Sequence, residues 1–197
     1  MTDDFFNCAF HEIRRGLAML VVPANLDRTP ETLTQAVARR VKTRLKELET
    51  ILRRLIMLIA LGLTLAPVKP RTRPPAETAE DPVFTKSQPL YSCALSGQVR
   101  VFSLEGTEFP EAAGHATGPV PAAPLLRRIA GLARILRAPD RYAVRLARTL
   151  ERLRRAGATR PLCLSMPTHR LHPELGLLAA GLPYQLADAW DRWTGSG

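Results

Sequence analysis

Between Leu125 and Arg160 the chain carries eleven arginines and only two acids, Asp140 and Glu151. Five of them, Arg141, Arg145, Arg148, Arg152 and Arg155, recur at intervals of 4, 3, 4 and 3. On an α-helix that spacing stacks the side chains along one face, where like charges repel. Phosphates relieve such repulsion, and a planar guanidinium grips a phosphate through two parallel N–H bonds. Anion binding is the chemistry this pattern points to, and a plain solvated face is its rival. Few Asn, Gln, Ser or Thr residues are interleaved to read base edges, and few aromatics to stack on single strands. A nucleic-acid partner would therefore be held without sequence preference.

A second group of reactive residue types lies further on, at Cys163, His169 and His172. Thiolate and imidazole both ligate zinc, and histidines three apart share a helix face. Pro167 and Pro173 flank the pair, however, and a fourth ligand would have to come from distant Cys93, His115 or His11. The expectation is loop histidines beside a buried cysteine, with no metal and no cofactor.

Signatures of catalysis are lacking. Ser96-Gly97 and Ser165-Met166-Pro167 come nearest to a nucleophile turn, and neither has the glycine-flanked form such a turn needs. No phosphate-cradling glycine loop is present, and no paired acids sit in an apolar setting that would raise one pKa. The reading is a non-enzymatic interaction protein whose arginine face binds nucleic acid or another polyanion. An enzyme of unrecognised type, assembled from distant residues, is one alternative.

Another alternative rests on the run from Leu55 to Ala66, which is apolar on every side. It falls short of the roughly 20 residues that a membrane span needs. Leu55, Leu58, Ile59 and Leu61 would then be hydrophobic contacts, made in the chain's own core, with a second copy in a homodimer, or at a membrane surface. Arg53-Arg54 on one side and Lys69, Arg71 and Arg73 on the other suit a peripheral membrane contact.

Composition sets the frame for these readings. The chain has 197 residues, 46% of them hydrophobic, enough for a core, and a formal charge of +10. That charge concentrates anions around the protein. The cations are 24 Arg against 4 Lys. A GC-rich coding bias explains that preference but not the shortage of acids. Three widely spaced cysteines make no disulfide framework, and Asp3-Asp4 stand where a secretory signal is basic. A cytoplasmic location is expected.

The elements that must position these residues follow from periodicity. Phe6, Phe10, Ile13, Leu17 and Leu20 predict an amphipathic helix over 4–21. Thr29-Pro30-Glu31 reads as the start of a long helix over 30–65, with a seam of Ala38, Val41, Leu45, Leu48, Leu52, Leu55 and Ile59. A short loop should make the pair antiparallel, with the first helix covering only the first half of the second. Residues 51–66 are then left for the C-terminal helices, folding back, to bury. Six prolines in 67–89 predict a poorly ordered linker. Beyond it, 98–104 is a candidate strand, and helices are expected over 125–137 and from Pro139 to a stop at Gly157. Pro173 and Pro183 each suggest the first turn of a short helix. The fold class is mainly α: an N-terminal antiparallel helical hairpin with one long helix (1–66), a Pro-rich linker (67–89) and a basic, mostly helical C-terminal segment (90–197) with at most one or two short strands.

Overall fold

The computed structural model describes residues 3–65, 118–157, 168 and 171–195, and these form a mainly α fold. Helix α1 spans Asp3–Val21, α2 Gln35–Gly62, α3 Ala123–Arg137, α4 Pro139–Arg155 and α5 Pro173–Gly195. Buried side chains from all five join in one hydrophobic cluster. The expected linker 67–89 and strand 98–104 lie outside the described residues, as do Cys93, His115, Cys163 and His169. Among the described residues no helix is long and apolar enough to cross a membrane.

Helix α2 is the axis of the fold, and α1, α3, α4 and α5 all pack against it. Its seam is buried from Ala38 to Leu55, and beyond Leu55 the burial spreads around the helix to Ile56, Met57, Leu58, Ala60 and Leu61. A helix surrounded on all sides can be apolar on all sides, which is why the pattern changes there. It starts later than Thr29-Pro30-Glu31 suggests. Thr29 has φ 47°, in the left-handed region, and closes a short 3-10 turn at Leu26–Arg28. Residues Thr32–Leu33 (β1) are extended and pair antiparallel with Val120–Pro121 (β2), Thr32 opposite Pro121 and Leu33 opposite Val120. The Ala122 N–H also donates to the Glu31 carbonyl at 2.9 Å. These ladder bonds take the backbone groups that a helix starting at Pro30 would have used. Thr34 caps α2 instead, its hydroxyl accepting from the Val37 N–H at 3.5 Å.

The register of α1 on α2 also departs from expectation. A Cβ on Gly16 would lie 3.1 Å from Leu48 Cδ2 and 2.9 Å from Leu175 Cδ1, so three helices meet at this glycine. Toward the start of α1, Phe6 and Phe10 share a cleft with Leu58, Ile59 and Leu61. At its other end Leu20 lies with Val41 and Arg44. The helices are antiparallel, but α1 runs along α2 from the level of Val41 to that of Leu61, so it covers part of the apolar half as well as the first half. The thirteen residues from Val22 to Thr34 take up the slack that a short loop would have lacked. Replacing Gly16 with leucine is expected to wedge α1 from α2 and α5 and cost about 1–3 kcal/mol, the usual scale of overpacking. Urea denaturation of the variant measures it.

Helix α5 continues through Pro183, where two short helices were anticipated. Leu175, Ala179, Leu182, Leu186 and Ala189 are buried at helical spacing on both sides of the proline, together with Trp190. Packing of that continuous stripe outweighs the missing N–H and the crowding of the preceding turn. At the α3–α4 corner, Pro139 takes the first position of α4. The guanidinium of Arg14 reaches across from α1 to donate to the Leu136 carbonyl at 2.8 Å, at the negative end of the α3 dipole.

Candidate anion-binding face and a second polar cluster

Helix α4 turns small and branched residues inward. Ala143, Ala147 and Leu150 are buried, and Tyr142, Leu146 and Leu153 are half-buried. The alanines let its backbone approach α2 closely. The opposite face carries Arg141, Arg145, Arg148, Arg152 and Arg155, all exposed. Gly157, with φ 68°, follows the last helical turn in the left-handed conformation that closes a helix, and its N–H donates to the Arg154 carbonyl.

The five arginines are not equivalent. Glu151 accepts from Arg155 Nε at 3.1 Å, and its other oxygen lies 4.0 Å from Arg154 Nε. Arg152 donates to the Thr149 hydroxyl at 3.3 Å, which leaves its charge uncompensated. No carboxylate among the described residues pairs with Arg141, Arg145 or Arg148. Arg145, Arg148, Arg152 and Arg155 line a groove of about 650 Å³, and Leu63, Leu65 and Trp193 supply much of its apolar wall. Trp193 is held by its neighbours: the Arg154 guanidinium lies 5.1 Å from its ring centre and donates to its carbonyl at 3.2 Å. The sequence pattern located the face. It missed the groove, because Leu63 and Leu65, just past the end of α2, and Trp193 of α5 lie far from α4 in the chain.

On α3 the basic residues divide in the same way. Arg128 makes a two-pronged bond to Glu49 of α2, at 3.0 and 2.9 Å, and the Glu49 carboxylate is largely shielded from water. Arg127, Arg134 and Arg137 are exposed. Leu55, Leu58 and Leu61, the expected hydrophobic contacts of the long helix, are 0, 4 and 8% exposed, and Ile59 is half-buried. They pack within the chain.

A second cluster forms where α1 passes the start of α5. Ligand-type atoms of Glu12, His172 and Glu174 all lie within 4.8 Å of one another. His172 Nδ1 faces Glu174 Oε2, and Arg15 Nη1 is 3.6 Å from Glu12 Oε2. A backbone N–H bond at Glu174 in the first turn of α5, helped by the nearby His172 and Arg15 charges, holds its carboxyl below the usual range. Of the metal-ligand candidates read from the sequence that lie among the described residues, His172 belongs to this group and His11 does not. Glu12 carried no signal, since its neighbours in sequence say nothing of α5. Comparisons with protein-family models, with curated proteins and with solved structures found no match for this chain.

Proposed function

We propose that the protein is a non-enzymatic interaction protein that holds a polyanion such as nucleic acid on the exposed face of α4. The observation that carries this reading is the absence, among the described residues, of any carboxylate partner for Arg141, Arg145 and Arg148, three cations one helical turn apart. Holding them so close without counter-charge costs stability, and an array of phosphates offsets that cost. Each guanidinium makes up to two N–H bonds to a phosphate, and each contact releases condensed counterions from the polyanion. Binding through phosphates alone carries no sequence information, so duplexes of different sequence should bind alike. Leu55, Leu58 and Leu61 have no part in this proposal, being enclosed by the chain's own helices.

The test is the salt dependence of binding to a labelled DNA duplex, with Arg145, Arg148 and Arg152 replaced together by glutamine. Three lost contacts should reduce the slope of log affinity against log salt by about 2.7, at about 0.9 per phosphate neutralised. A control variant with Arg39, Arg40 and Lys42 of α2 replaced by glutamine has the same net charge, and its slope should stay close to wild type. Equal weakening of both variants would reduce the effect to overall charge. Unchanged binding by the α4 variant, or no binding by wild type at low salt, would leave α4 a solvated face.

A further inference from the structure

We infer that Glu12, His172 and Glu174 bind a divalent transition metal of the zinc type, which ties α1 to the first turn of α5. Glu12 is the only charged residue that is buried among those described, at 8% exposure. A carboxylate withdrawn from water needs a cation close by. Arg15 serves poorly: its nitrogen is 3.6 Å away, beyond hydrogen-bonding range, and its side chain is 47% exposed. His172 Nδ1 is shut off from solvent and is turned toward the Glu174 carboxylate.

The donors suit the ion. Two carboxylates balance a dication, and a neutral imidazole completes a mixed nitrogen and oxygen set. Such a set favours zinc and its neighbours over magnesium or calcium, which prefer oxygen alone, and over metals that prefer thiolates. Bonds of about 2.0–2.2 Å place tetrahedral ligand atoms roughly 3.4 Å apart. All three atoms lie within 4.8 Å of one another, and modest side-chain rotation, opening the His172–Glu174 contact and drawing Glu12 in, brings them to that spacing. Arg15 can swing into solvent as the ion takes its place. Three protein ligands leave a position for water, the pattern of an open site rather than a closed structural one. His172 is also part of the wall of a mainly apolar cleft of about 640 Å³ between α1, α2 and the start of α5. The ion would sit at the margin of that cleft.

The experiment uses the full chain without an affinity tag, stripped by a chelator and titrated with Co²⁺ and with Zn²⁺. One equivalent of Co²⁺ should bind and give visible ligand-field absorption without a thiolate charge-transfer band. Zn²⁺ should raise the unfolding temperature, since an ion held by two helices binds only the folded chain. His172→Ala and Glu174→Gln, both at partly exposed positions, should each weaken binding at least as much as losing a supporting partner does, roughly 10- to 100-fold. Both should still unfold cooperatively when metal is absent, within a few degrees of wild type, since each loses only a partly exposed ion pair. Glu12→Gln should match them in binding if it folds, and the two exposed variants carry the test if it does not. Absence of cobalt absorption, a thiolate band, or undiminished affinity in His172→Ala would overturn the assignment.

Discussion

Replacing Leu58 and Leu61 together with serine is expected to abolish cooperative unfolding. Both side chains sit in the common hydrophobic cluster, at 4 and 8% exposure, on the stretch of α2 flanked by the start of α1 and by α4 and α5. Truncating a buried leucine to alanine costs about 2–5 kcal/mol, partly for the transfer lost and partly for the cavity left. Serine adds a hydroxyl without a partner, a further cost of about 1–3 kcal/mol. Two such changes rival the roughly 5–15 kcal/mol by which a native domain is stable. Far-ultraviolet dichroism against temperature should show a broad, featureless loss of helix in place of a sigmoid. A folded, stable monomer derived from a dimeric wild type, seen by light scattering, would instead place these side chains between two copies. Unchanged stability and unchanged mass would mean that nothing covers them.

The second large effect is expected at Trp190. It is 1% exposed, among the largest fully buried side chains, and meets Trp193 edge to face with ring centres 5.2 Å apart at 86°. Trp190→Ala should cost about 3–5 kcal/mol through the cavity it leaves. Loss of the aromatic pair adds about 0.5–1.5 kcal/mol. Tyr184 on the same helix is 80% exposed, and Tyr184→Ala should stay within about 0.5 kcal/mol of wild type. The contrast tests whether α5 is one packed helix through Pro183. Two independent short helices would let the segment after the proline detach, and Trp190→Ala would then be nearly as mild as Tyr184→Ala. Urea midpoints for the pair decide between these outcomes.

Losing Trp190 should also affect the α4 groove, because Trp193 and its contact with Arg154 border the arginines there. The Trp190→Ala variant, if it remains folded, should therefore bind polyanions more weakly although no arginine has changed.

What the sequence determined by itself was the local part. A helix is written in the spacing of a few consecutive turns, so α1, α2, α3 and α4 were legible from their apolar stripes. The arginine face of α4 was legible for the same reason, since 4-3-4-3 spacing selects a face whatever lies beneath it. Element ends were less so. The start of α2 moved from Pro30 to Gln35 because Thr32–Leu33 found ladder partners at Val120–Pro121, far along the chain. Local sterics disfavour Pro183 within a helix and so mark it as a boundary, whereas the buried stripe from Leu175 to Trp190 carries the helix through. The register of α1 was set by the notch at Gly16 that admits Leu48 and Leu175, and no pattern within one helix encodes a fit among three. The same holds for Glu12: its neighbours in sequence mark an ordinary helix face, and only the packing of α1 against α5 brings its carboxylate to His172 and Glu174. Periodicity specifies which side of a helix is buried. Side-chain shape, acting between helices distant in the chain, decides what that side meets.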